Sequence, residues 1–144
     1  MSNYGEGEKN TRKRITRNFL EDYMLKSLLA VVEKEKISVR VTLNIKGAIV
    51  SGVLISSQEY CENILRYFRE ESDLQDPEKL TQDMRRLCEF YKSADRDLAD
   101  MHYVHLKDAR FHYASQDTAP VDQGVFWRGK LASIDGFVFG TLLV

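Results

Sequence analysis

The hydrophobic pattern predicts a helix first and then strands. A helix is expected from Thr16, which can serve as its N-cap, to the charged run at 33–36. Its apolar residues recur at steps of three and four: Phe19, Leu20, Tyr23, Met24, Leu28, Val31 and Val32. This wide apolar sector indicates a helix that packs across an open end of a sheet.

Two strands are predicted next, separated by Gly47. From Val39 to Lys46, apolar and polar residues alternate with a period of two, which is typical of a half-buried strand. Residues 48–55 are apolar on both faces, so this strand is predicted to be more deeply buried. Gly52 lies where such a strand would bend sharply.

A helical insertion, residues 57–100, follows these strands. Ser56 and Glu59 form a capping box at its start, and Asp76-Pro77 supplies the cap and first residue of a second helix. Alternating steps of four and three then predict a seam for one partner helix: Leu80, Met84, Leu87, Tyr91, Ala94 and Leu98. We interpret the seam as antiparallel packing on the preceding helix, with pairing between subunits as the alternative.

Three more strands are predicted, at 103–111, around 125–132 and at 136–143. Asp135-Gly136 is interpreted as the two-residue turn of a hairpin, in which glycine supplies a positive φ. The predicted fold class is therefore α+β: a strongly bent antiparallel sheet of about five strands, with an N-terminal helix and the inserted helical hairpin. Closure of the sheet into an Sm-like small barrel is left open.

Composition and charge narrow the classes of protein. The 144 residues predict a flexible basic tail at 1–14 and a single α+β domain at 15–144. The net charge of −1 points neither to nucleic acid nor to a membrane. No signal peptide or long apolar run is evident, so we expect a cytoplasmic protein without a membrane segment.

The charges are nevertheless distributed unevenly. A basic cluster near the start comprises Lys9, Arg12, Lys13, Arg14 and Arg17. It is interpreted as a solvated tail, with an acidic partner surface or RNA as alternatives. The insertion 57–100 has twelve acidic and seven basic side chains, a net charge of −5. Patches of opposite sign favour head-to-tail association.

No group of residues has the pattern of a catalytic or metal site. His102 and His105, and likewise His105 and His112, are expected on opposite faces of a strand, so they would not share one ion. Asp108 and Asp135 lack a nearby nucleophile, a phosphate loop or a suitably placed histidine. We therefore expect no enzyme, no metal and no cofactor.

Four further residues could have two roles each. Cys61 and Cys88 are interpreted as buried free thiols, with a disulfide as the alternative. Trp127 and Arg128 could offer a stacking plane and a cation to a nucleobase. The simpler interpretation is that Trp127 lies in the core and Arg128 pairs with an acid.

Ordered blocks of the sequence resemble the gas vesicle accessory protein GvpU family. They cover roughly half of the chain. The blocks are Leu43-Asn44-Ile45-Lys46-Gly47 with Ser51-Gly52, Ile55-Ser56-Ser57-Gln58-Glu59-Tyr60, His105-Leu106-Lys107-Asp108-Ala109, and Trp127-Arg128-Gly129-Lys130-Leu131 with Asp135-Gly136-Phe137 and Gly140.

The resemblance implies a non-enzymatic cytoplasmic protein that acts in gas vesicle assembly or clustering. Its partners would be gas vesicle shell proteins or other gas vesicle proteins, and no catalytic residue is carried over. We expect a homo-oligomer that uses an exposed sheet edge and the patches of opposite charge. The motif residues assigned to its binding and assembly surface are Lys46, Gly47, Gly52, Lys107, Asp108, Trp127, Arg128, Gly129, Asp135 and Gly136.

A fainter likeness is to the Sm-like barrel, which would make the chain an RNA-binding module. That alternative uses Arg12, Lys13, Arg14, Trp127 and Arg128. The Asp and Asn pattern that contacts RNA after the bent strand of such barrels is replaced here by the capping box. The sequence therefore argues against nucleic acid even if the barrel forms.

Overall fold

The computed structural model describes residues 21–71, 73–92, 97–112 and 124–141. Three α-helices, two short 3-10 turns and five strands make up this part of the chain. In chain order they are α1 (Tyr23–Glu35), β1 (Val39–Ile45), β2 (Ala48–Leu54), α2 (Ser57–Glu70), α3 (Pro77–Tyr91), a 3-10 turn (Leu98–Asp100), β3 (Tyr103–His112), β4 (Val125–Lys130), a second 3-10 turn (Leu131–Ser133) and β5 (Gly136–Phe139).

The five strands form one antiparallel sheet in the order β4-β3-β2-β1-β5. The predicted α+β class and strand number are confirmed. Among the described residues β4 and β5 are the two edges and do not pair with each other, so the sheet is open and the barrel is not seen. The last two strands are therefore not a hairpin, because each joins a different side of the sheet.

Helix α1 covers one face of the sheet. Asp22 caps it by accepting from the backbone N–H groups of Met24 and Leu25, so the helix begins at Tyr23. The predicted cap, Thr16, lies outside the described residues. The helix buries one stripe of residues against β1, β2 and β3, and this stripe and the sheet supply most of the core: Leu25, Leu29, Val32, Val41, Leu43, Val50, Leu54, Val104, Leu106 and Ala109.

A β-bulge interrupts β3 at Lys107 and Asp108. The registers with β2 and with β4 both shift there, and Asp108 has a φ of 51°. The extra residue reverses the alternation of faces, which places His105 and His112 on the same face. The expectation that these two histidines face opposite ways is thus wrong, because a bulge cannot be seen in a regular period of two.

The antiparallel hairpin of α2 and α3 packs on the other face of the sheet, beside β3. Both predicted N-caps are present, since Ser56 accepts from the N–H of Glu59 and Asp76 accepts from that of Lys79. The second half of the predicted capping box, a bond from the Ser56 N–H to the Glu59 carboxylate, is not seen among the described residues. The Glu59 carboxylate accepts from Lys107 of β3. The N–H and hydroxyl of Ser57 donate to the Glu33 carboxylate of α1, at 2.6 and 2.9 Å. Glu33 therefore satisfies one of the free N–H groups in the first turn of α2.

The seam of α3 agrees with the prediction only in part, because Leu80, Met84 and Tyr91 are half-buried but are not its most buried residues. Thr81 and Cys88 are its buried residues, whereas Leu87 is 60% exposed. Ala94 lies outside the described residues, and Leu98 belongs to the first 3-10 turn. The small side chains of Thr81 and Cys88 let α3 approach α2 closely. The pattern of large apolar residues does not indicate this face of the helix.

Cys61 of α2 and Cys88 of α3 meet in the middle of the hairpin. Both are free thiols and both are buried. Burial, together with a hydrogen bond between the two side chains, raises the pKa of Cys61 to about 12. The interpretation as buried free thiols is confirmed.

Candidate functional site

Four of the motif residues meet at the turn between β1 and β2. Lys46 and Gly47 form a two-residue turn in which both φ angles are positive, 50° and 88°. The N–H of Lys46 donates to the Asp135 carboxylate at 2.8 Å, and the N–H of Asp135 donates to the Asn44 carbonyl at 2.8 Å. Asp135 therefore ties the turn to the start of β5, where Gly136 lies.

This arrangement corrects the role predicted for Asp135-Gly136. Asp135 directly precedes the edge strand β5 and Gly136 is its first residue, so the pair is not the turn of a hairpin, and Gly136 does not have a positive φ. A Cβ at Gly136 would meet no heavy atom within 4 Å. Asp135 acts through its carboxylate, and glycine is not required after it.

A second group of motif residues surrounds the bulge of β3. A Cβ at Gly52 would lie 3.1 Å from the Lys107 carbonyl oxygen and 3.2 Å from the Ala109 Cα, so only glycine lets β2 approach the bulge without a shift. Lys107 Nζ lies 3.3 Å from Glu59 on α2, and Arg110 Nη2 lies 3.3 Å from Asp108. These are partly exposed ion pairs of low individual energy.

Trp127 and Gly129 act as a pair on β4. The six-membered ring of the indole lies over Gly129, in the space that a Cβ there would occupy. Trp127 also packs against the hydrophobic core. An aromatic ring that covers a glycine of an edge strand stabilises that strand. The interpretation of Trp127 as a core residue agrees with this geometry.

Arg128, on the opposite face of β4, contacts tyrosines. Its guanidinium lies 4.0 Å from the ring centroid of Tyr103 and 5.5 Å from that of Tyr91, and it donates to the Tyr91 hydroxyl at 3.0 Å. The expected acidic partner is thus replaced by two aromatic residues. Because Tyr91 lies on α3, Arg128 joins the helical hairpin to the sheet.

Tyr60 and His105 continue this contact between the hairpin and the sheet. Their ring centroids are 4.7 Å apart. Burial raises the pKa of Tyr60, while the positive charge of Arg128 partly offsets the rise. The phenol therefore stays neutral at physiological pH and packs against the His105 ring.

Sequence reasoning missed Tyr91 and Tyr103 as partners of Arg128. Tyr91 was assigned to the helix seam, and Tyr103 was only one of the residues of β3. A signal existed for Tyr103 once the register was known, because Arg128 pairs with His105 and Tyr103 is its diagonal neighbour. The contact with Tyr91 joins elements that are distant in the sequence and has no local signal.

The predicted site residues thus divide into separate groups. Lys46, Gly47, Asp135 and Gly136 lie at one end of the sheet near the β5 edge, while the others lie at the bulge and on β4. Asp108 and Asp135 fall in different groups and do not form a pair. The basic cluster, Lys9, Arg12, Lys13, Arg14 and Arg17, lies outside the described residues.

The described ranges show neither a metal site nor a membrane-spanning helix. No cluster of three or more His, Cys, Asp or Glu side chains suited to a metal ion occurs in them. None of the described helices has the length and apolarity that a membrane crossing requires.

The described residues define an α+β module with an antiparallel sheet. Its motif positions form the turn between β1 and β2, the bulge of β3 and the contact between β4 and α3. The family described as gas vesicle protein GvpU-like matches residues 22–142 of the chain. The chain belongs to this family and is thus a gas vesicle protein. No curated protein and no solved structure matches it.

Proposed function

We propose that this gas vesicle protein is a non-enzymatic accessory protein of the cytoplasm that self-associates and promotes gas vesicle assembly or clustering. The observation that carries the proposal is the open β5 edge. Its sequence, Gly136-Phe137-Val138-Phe139, contains no charged residue and no proline. Edge strands of monomeric proteins usually contain charged residues or proline, which prevent the edge from pairing with other chains.

The exposure of this strand supports the same conclusion. Phe139 is 63% exposed and Val138 is 45% exposed, and no described strand pairs with the outer side of β5. The other edge, β4, includes Arg128 and Lys130. Of the two edges, β5 is therefore the one that favours association with another chain.

Two copies of the chain would pair β5 against β5 across a two-fold axis. Antiparallel pairing of identical strands extends each sheet into its neighbour and satisfies the outward main-chain groups of both. It also removes Val138 and Phe139 from water. The resulting dimer presents every partner-binding surface twice, which is the requirement for bridging two vesicles.

The distribution of charge supports a second contribution to association. The insertion 57–100 has a net charge of −5, and the basic cluster at the start of the chain has the opposite sign. Contacts between such patches on different copies weaken as salt screens them, with a Debye length of about 8 Å at physiological ionic strength. Clustering is therefore expected to decrease when salt is raised.

The test uses two valines with the same exposed fraction, one on each edge. Val138 on β5 and Val125 on β4 are both 45% exposed, so Val138→Lys and Val125→Lys make the same chemical change at matched positions. Purified gas vesicles are mixed with each protein, and clusters are counted by light microscopy. We expect Val138→Lys to abolish clustering and Val125→Lys to retain it.

The opposite pattern, in which only Val125→Lys abolishes clustering, would overturn the assignment of the β5 edge. No clustering with the unchanged protein would overturn the proposed function itself. The Sm-like RNA-binding alternative gains no support from the described residues, because Trp127 and Arg128 are engaged within the fold.

A further inference from the structure

A groove of about 480 Å³ runs between α2 and α3 on the side of the hairpin that carries several basic side chains. Arg66 and Arg69 line it from α2, and Arg85 and Lys92 line it from α3. All four are exposed, and none makes an ion pair with another described residue. A groove in which unpaired cations outnumber acidic side chains attracts negative charge.

The groove lies inside a segment that is acidic as a whole. Of the side chains that line it, four are basic and two, Glu62 and Glu70, are acidic. The local sign is therefore opposite to the net charge of −5 of the insertion 57–100. The net charge of the insertion does not reveal this basic groove, because most acidic residues of the insertion do not line it.

The spacing of the cations indicates an elongated ligand. Arg66 and Arg69 lie on successive turns of α2. Arg85 and Lys92 are two turns apart on α3, roughly 10 Å along its axis at 1.5 Å per residue. Cations spread over this length suit an extended chain with several negative groups better than a single phosphate.

The remaining lining favours a peptide over a nucleic acid. Leu65, Cys61 and Cys88 give the groove an apolar floor, and none of its lining residues is aromatic, so the groove lacks the aromatic rings on which single-stranded nucleic acids usually stack their bases. Glu62 and Glu70 would repel a continuous phosphate backbone. A peptide can place acidic side chains on the arginines and apolar ones on the floor.

We propose that the groove between α2 and α3 binds an acidic peptide segment of a partner protein, with Arg66, Arg69, Arg85 and Lys92 as its anchors. The arginines recognise carboxylates through paired N–H groups, which gives both strength and orientation. This inference goes beyond the proposed function and does not depend on it. A chain that never self-associates could still bind such a peptide.

The test compares neighbouring arginines on the same helix. Arg85 lines the groove, whereas Arg86 is exposed and does not line it. Binding of a fluorescein-labelled peptide with alternating glutamate and leucine is followed by anisotropy at physiological salt. We expect Arg85→Glu to raise Kd at least about tenfold, the equivalent of one charge-assisted hydrogen bond. Arg86→Glu should change Kd less than about twofold, because screening limits its reach.

Three outcomes would overturn the proposal: no saturable binding, equal losses in the two variants, or tighter binding of an oligouridylate than of the peptide. A carbodiimide cross-link gives the position independently, because it joins a peptide carboxylate to a lysine that lies against it. Mass spectrometry should locate the cross-link at Lys92 rather than at Lys34, an exposed lysine of α1. A cross-link at Lys34 alone would contradict the proposed location.

Discussion

Three glycines of the motif blocks solve different steric problems. Gly47 adopts a φ of 88° in the turn between β1 and β2, a conformation that other residues seldom adopt. Gly52 leaves room for the bulge of β3, and Gly129 leaves room for the Trp127 indole. The resemblance placed these glycines in a binding surface, whereas their contacts show why the backbone needs them.

Gly129→Ala should destabilise the protein by roughly 1–3 kcal/mol, because the new methyl group displaces the indole from the core. Trp127 is the only tryptophan, so its fluorescence reports on the same event and should shift to longer wavelength. Urea denaturation provides the stability measurement. Gly136→Ala is the control, since its Cβ would meet nothing, and equal losses in both variants would contradict the packing described.

Cys61 makes stability depend on pH in the alkaline range. Its folded-state pKa is raised to about 12, above that of an unfolded thiol, which is about 8.5. The folded protein therefore holds the proton more tightly. The stabilisation is complete below about pH 8.5 and is lost as pH rises towards 12.

Denaturation of the unchanged protein and of Cys61→Ser from pH 7 to pH 10.5 tests this dependence. We expect the free energy of unfolding of the unchanged protein to fall more steeply above pH 8.5, because serine does not titrate there. Parallel pH profiles for the two proteins would show that the Cys61 thiol makes no such contribution.

At the scale of elements, the strands were easier to predict than their connections. The period of two in β1 and the caps of α2 and α3 are local signals, and the structure contains all of them. The start of α1 was wrong, and the seam of α3 was right only in part. Asp22 caps α1 and so starts the helix within a longer apolar pattern. In α3, the small buried side chain of Cys88 allows a close contact with α2.

The assignment of β4 and β5 to opposite edges also lacked a local signal. Short glycine-containing strands next to each other in sequence usually pair, which is why a hairpin was predicted. Here Leu131 and Ile134 are buried in the core between them, and β4 pairs with β3 while β5 pairs with β1 at the opposite edge. A pattern of residues cannot show which edge a strand joins.

Arg128 is expected to hold the helical hairpin on the sheet. Arg128→Met keeps most of the side-chain volume but removes the contacts with Tyr103 and Tyr91, at an expected cost of about 1–3 kcal/mol. Arg40→Met is the control, because Arg40 is exposed on β1. Urea denaturation measures both variants.

Hydrogen exchange of the α3 amides provides a second readout for Arg128→Met. These amides should exchange faster in the variant, since local opening of the hairpin becomes easier. Unchanged exchange and unchanged stability would show that Arg128 does not dock α3.

On the scale of the whole molecule, the described residues present two distinct surfaces. The β5 edge exposes the apolar side chains of Val138 and Phe139 and is the edge that we propose pairs with a second copy. The groove between α2 and α3 offers cations to a different ligand. A protein with one surface for its own kind and another for a partner can link partners together, which is what clustering requires.

Mass measurement in solution tests this account most directly. Static light scattering over a range of protein concentrations at low salt should give a mass that rises from that of one chain, 16.7 kDa, towards a dimer and beyond. The mass of the Val138→Lys protein should stay closer to one chain at every concentration. A mass of one chain for the unchanged protein throughout that range would contradict self-association.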